Sequence, residues 1–89
     1  MEQKIYPVDV ICVCEADGTI RPLRLRLEDE LQRVFRVDID EVISKKSIPY
    51  VGVESQVFLC RARAEGRRCV VELKYYIRTH SWRLLRRVS

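Results

Sequence analysis

The feature that most limits what this chain can become is alternation broken by short glycine turns. Leu23, Leu25 and Leu27 are separated by Arg24 and Arg26, and Phe58, Cys60 and Ala62 alternate with Arg61 and Arg63. A period of two sends successive side chains to opposite faces of a strand and does not line one face of a helix. Asp17-Gly18 and Glu65-Gly66 stand between such runs, and each reads as a two-residue hairpin loop because glycine tolerates positive φ.

These turns assign partners. A two-residue loop at Asp17-Gly18 sets Val8 opposite Leu27, Val10 opposite Leu25, Cys12 opposite Leu23, and Asp9 opposite Arg26. A two-residue loop at Glu65-Gly66 sets Phe58 opposite Leu73, Cys60 opposite Val71 and Ala62 opposite Cys69. Apolar residues meet apolar ones throughout, which pins the register. Strands are predicted over 5–15, 20–28, 33–43, 51–63, 67–77 and 82–88. In the third, Phe35, Val37 and Ile39 face inward and Arg36, Asp38 and Asp40 outward. Leu27, Leu31, Val34 and Phe35 also fit helical spacing with Asp29 as a cap, so a short helix within 28–36 stays open. Ser44 to Pro49 is the longest polar connection and reads as a mobile loop. A loop near Arg78-Thr79-His80-Ser81 places Tyr75 against Leu84 and Ile77 against Trp82.

Eighty-nine residues make one domain, too short for a second core. A sequential antiparallel sheet of this size must bury one face. The expected fold is all-β, a six-stranded meander closing into a small barrel or half-barrel. No stretch approaches the roughly 20 apolar residues of a membrane span, and Pro7 and Asp9 interrupt any signal-peptide pattern. The expectation is a cytoplasmic protein without a membrane partner, its four cysteines thiols rather than disulfides.

Charge is divided unevenly. Residues 1–54 carry eight basic against eleven acidic residues, a net of −3, and residues 55–89 carry nine against two, a net of +7. A basic half on a small apolar-rich chain suggests a surface for an anionic partner. Parity puts Arg61 and Arg63 outward on the fourth strand, Lys74 and Arg78 outward on the fifth, and Arg83 and Arg87 outward on the sixth. Arg67 and Arg68 follow the Glu65-Gly66 turn, and Tyr76 supplies a ring for stacking. Arginine suits phosphate and base stacking, so this set is the candidate surface for nucleic acid or another anionic partner.

Other constellations are weaker. Cys12 and Cys14 share a strand face and, with Cys60 and Cys69, supply four thiols, but they lie among Val, Ile and Leu at spacings unlike zinc knuckles. They read as packed small hydrophobes and no metal is expected. His80 reads as a solvated turn residue. Glu28, Asp29, Glu30, Asp38, Asp40 and Glu41 lack the pattern of a calcium loop and read as a solvated turn and strand edge. A second reading pairs them with the basic half of a neighbouring copy, which would make self-association salt-sensitive. The chain has no P-loop, dinucleotide fingerprint or nucleophile motif, so neither an enzyme nor a cofactor is expected.

The run from Asp17 to Arg26, the Phe35-Arg36-Val37 segment and the closing Ser81-Trp82-Arg83-Leu84 resemble small bacterial all-β domains of uncharacterised role, over about residues 20–88. Some of these accompany or end translesion-type DNA polymerases. The resemblance implies an accessory interaction module and no catalytic residue. The expected role is therefore a binding module, acting through protein–protein interaction or self-association, with single-stranded DNA or RNA as the alternative partner.

Overall fold

The alternating runs become six strands: β1 (Tyr6–Cys14), β2 (Ile20–Glu28), β3 (Val34–Ile48), β4 (Ser55–Ala64), β5 (Arg67–Tyr76) and β6 (Ser81–Arg87). They are seen in a computed structural model that describes residues 6–28, 31–52 and 54–88. Each strand pairs antiparallel with the next and β6 pairs with β1, closing the barrel. Residues 34–36 are strand rather than helix, while Asp29 and Glu30 lie outside the described residues.

The β4–β5 hairpin follows the sequence reading throughout. Phe58 faces Leu73, Cys60 faces Val71 and Ala62 faces Cys69. Glu65 and Gly66 both adopt positive φ, 53° and 76°, as a two-residue type I′ turn requires. The inward residues of this hairpin form the centre of the core, together with Leu25, Val37, Tyr75 and Trp82. Trp82 packs on Phe58 and Tyr75, with ring centroids 5.4 and 4.8 Å away, so three aromatic rings fill the barrel interior.

The β1–β2 hairpin reaches its register by a different route. Glu15 N donates to Thr19 O and Gly18 N to Glu15 O, which makes a three-residue loop of Ala16, Asp17 and Gly18 instead of the two-residue loop expected. Gly18 at φ 92° takes the left-handed position that ends such a loop. The resulting offset places Cys12 opposite Pro22 rather than Leu23. A bulge at Leu23 then restores the expected pairs Val10–Leu25 and Asp9–Arg26. Pro22 has no N–H to give to a ladder, which favours an irregularity beside it. The bulge buries Pro22 and leaves Leu23 39% exposed.

Three further expectations are corrected. The segment Ser44 to Ile48 is not a loop but the end of β3, paired with Ser55 to Leu59 of β4. Its polar residues mislead because this stretch is an outer strand, and extra residues at Asp40 and Ile43 bulge it and bend it. The β5–β6 turn comprises Ile77, Arg78, Thr79 and His80, so Tyr75 meets Trp82 and Leu73 meets Leu84. His80 stands at φ 54°, a left-handed conformation that a histidine does not announce in sequence. Cys12 and Cys14 are exposed rather than packed, whereas Cys60 and Cys69 are buried, and all four are free thiols.

Closure does not extend along the full strands. β6 pairs with β1 only from Tyr6 to Val8, and past Val8 the edge of β1 facing away from β2 meets no strand among the described residues. β3 leaves β2 at Asp38, so from Ile39 to Ile48 β4 is its one neighbouring strand among the described residues. No helix in the described residues is long and apolar enough to cross a membrane.

Candidate interaction surfaces

The predicted basic face divides into a neutralised part and a free part. Arg61 pairs with Glu41, which the Asp40 bulge has brought opposite it. Arg63 Nε lies 3.0 and 3.1 Å from the two carboxylate oxygens of Asp40. Arg68 sits opposite Arg63 and is exposed, as is Arg67 beside the turn. Arg87 is corrected: the extra residue Leu85 in β6 shifts the phase, so Arg86 takes the outward place beside Glu72, at 3.1 Å, and Arg87 falls opposite buried Val71. Arg78 is also corrected, since it lies in the β5–β6 turn rather than on β5. Its Nη1 donates to Gly52 O at 3.4 Å.

The free part lies where β3, β4, β5 and β6 run side by side. Lys46 is opposite Val57, Val57 opposite Lys74, and Lys74 opposite Arg83. None of these three cations has a carboxylate partner among the described residues. Lys74 Nζ lies 5.1 Å and Arg83 Cζ 5.8 Å from the centroid of Tyr76. Tyr76, Thr79, Ser81 and Arg83 line a shallow hollow of about 570 Å³, in which the Thr79 and Ser81 hydroxyls are 2.7 Å apart. Sequence reasoning found Lys74, Tyr76 and Arg83 but missed Lys46, assigned to a loop, and the two hydroxyls. It also missed Tyr50, 72% exposed in the loop that Arg78 contacts through Gly52.

Asp38, Asp40 and Glu41 are counter-ions to arginines rather than a cation site, while Asp29 and Glu30 lie outside the described residues. Asp38 accepts from Arg24 Nε at 2.8 Å and lies 3.4 Å from Arg36. The Arg24 hydrogen bond outweighs the opposing effect of burial and, helped by the charge of Arg36, holds the Asp38 carboxyl below its ordinary range. Among the described residues no three potential metal-ligating side chains come together, and the cysteines are divided between the outside and the interior. Burial pushes the Cys60 thiol up to about 11, which keeps it protonated at neutral pH. His80 Nδ1 is 2.8 Å from the Tyr75 hydroxyl.

No known protein family, curated protein or solved structure matches this chain.

The second surface is the open edge of β1. Ile11 is 59% exposed, and Cys12 and Cys14 are exposed beside it. From Val10 to Cys14 the strand carries no charged residue. The flanking carboxylates are both occupied, Asp9 by Arg26 and Glu15 by Arg21 at 3.7 Å. A cleft of about 870 Å³ opens where β6 stops and β1 continues, lined by Val8, Val10, Leu27, His80 and Trp82 among others.

Proposed function

We propose that this chain is a non-catalytic interaction module that works through the open edge of β1, and that the partner its chemistry favours is a second copy of itself. The observation that carries this reading is that the uncharged stretch Val10–Cys14, paired with β2 on one side, meets no strand on its other edge among the described residues. An exposed strand edge offers a row of backbone donors and acceptors to any compatible strand. Soluble proteins usually blunt such an edge with lysine, proline or a bulge; this stretch has no lysine or proline, and the bulge at Ile11 and Cys12 puts its extra residue, Leu23, on β2. Laid antiparallel on its own copy about a two-fold axis, it meets apolar residues and no opposing charges.

The resemblance to accessory all-β domains implies a role of the same class. Five residues from each copy make a small contact, so the expected affinity is micromolar rather than nanomolar. Because Asp38, Asp40 and Glu41 are paired within the chain, association is expected to be insensitive to salt. Ile11→Lys adds a charge at the edge and leaves the core untouched. Light scattering on a size-exclusion column at increasing concentration reads the effect: the wild type approaches twice its 10.6 kDa mass, and the variant does not.

A further inference from the structure

We infer that the free cationic row and the Tyr76 hollow form a binding site for single-stranded nucleic acid, on a face separate from the β1 edge. The row Lys46, Lys74 and Arg83 crosses from β3 to β6 with one uncharged residue, Val57, within it. Four adjacent strands about 4.8 Å apart give it a span of roughly 14 Å, which presents three cations in line to a phosphodiester backbone. The carboxylates that neutralise Arg61, Arg63 and Arg86 are on other residue pairs of the sheet, so the charge of this row is available to a ligand.

The hollow adds what a simple cationic strip lacks. Lys74 and Arg83 face each other across β5 and β6, so both approach Tyr76 from its neighbouring position in the ladder. Thr79 and Ser81 line the hollow with the ring, and because one of their hydroxyls donates to the other, the second keeps its proton to donate to a phosphate oxygen. Arg83 lines the same hollow, where its planar fork suits phosphate and its face suits a base. Tyr50, in the loop that Arg78 contacts, supplies a second exposed ring at this end of the sheet. Cations in line with sequence-tolerant aromatic faces are the chemistry of single-strand binding. A duplex is a poorer match, because no helix or protruding ribbon lies on this face to enter a groove.

The test is fluorescence anisotropy with labelled twelve-nucleotide oligo-dT and oligo-U, at 50 and 200 mM salt. Three phosphate contacts on a single strand predict a loss of affinity of about twentyfold over that range. Lys74→Gln and Arg83→Gln should each weaken binding at 50 mM and flatten the salt dependence. Tyr76→Ala should weaken binding roughly tenfold through lost stacking. Arg61→Gln, which removes an already neutralised cation, should leave affinity within twofold. Circular dichroism and melting of each variant show that the barrel is intact. Absence of binding at 50 mM overturns the inference. So does a loss with Arg61→Gln equal to that with Arg83→Gln, or equal binding of a poly-glutamate peptide with no effect of Tyr76→Ala, which would mark a face for acidic proteins. Ile11→Lys serves as a control, since its failure or success concerns the β1 edge alone.

Discussion

Among the described residues two stretches of strand edge have no neighbouring strand, Asp9 to Cys14 of β1 and Ile39 to Ile48 of β3, and the two are built differently. The β3 stretch carries two bulges, the charged residues Asp40, Glu41, Lys45 and Lys46, and a bend that spoils its fit to another strand. Lys45 also lies over the ring of Phe58, 5.7 Å from its centroid, in the part of β3 that has left β2. The β1 stretch has no charge between Val10 and Cys14, and its bulge is on the partner strand. Charges and bulged residues protect the β3 edge, and the edge proposed to associate carries neither on its own strand between Val10 and Cys14. Openness alone does not mark an interface; the lack of charge along the β1 edge is what singles it out in the proposal.

The largest effect separates this comparison from the fold itself. Phe58 is 1% exposed and touches the aromatic core, so Phe58→Ala should destabilise the barrel by about 3–5 kcal/mol, read by urea denaturation. A surface change at Ile11 should stay within about 0.5 kcal/mol in the same assay. Next, removing protection from the β3 edge with Lys45→Thr and Lys46→Thr should produce species larger than the dimer at high concentration, seen by sedimentation velocity. The retained bulges should keep that effect below the one at β1.

Thiol labelling sharpens the contrast further. In dilute protein Cys12 and Cys14 should react promptly with a maleimide, while Cys60 and Cys69 stay unmodified until the barrel unfolds, as they are buried. Concentrating the protein should slow labelling of Cys12 and Cys14 several-fold if the β1 edge is covered. The smallest effect concerns acid. Asp38 has its folded pKa held down by Arg24, so its contribution is present at neutral pH and is lost as pH falls through that lowered value. Asp38→Asn should therefore remove a little stability at pH 7 and less at pH 2, measured by melting temperature.

How much was legible depended on whether turns declared themselves. The β4–β5 hairpin could be read residue by residue because Glu65-Gly66 is a two-residue turn followed by a ladder without bulges. In β1–β2 the expected pairs near Asp9 hold only because a longer loop and the Leu23 bulge compensate. The β5–β6 register slipped by two because His80 adopts a left-handed conformation that usually belongs to glycine or asparagine. The basic face was partly legible: parity placed Lys74 and Arg83 correctly, but pairing of Arg63 with Asp40 and the displacement of Arg87 depend on bulges at Asp40 and Leu85. Bulges invert parity without a reliable mark in sequence. The exposure of Cys12 and Cys14 was hidden for a related reason, since apolar composition does not distinguish a central strand from an unprotected edge.

Sedimentation equilibrium of the wild type beside Ile11→Lys, from low to high micromolar concentration and at 50 and 500 mM salt, tests the account most directly. The account predicts a monomer–dimer equilibrium for the wild type that salt barely shifts, and a 10.6 kDa monomer for the variant throughout. A wild type that stays monomeric at every concentration, or a variant that dimerises equally well, would contradict it.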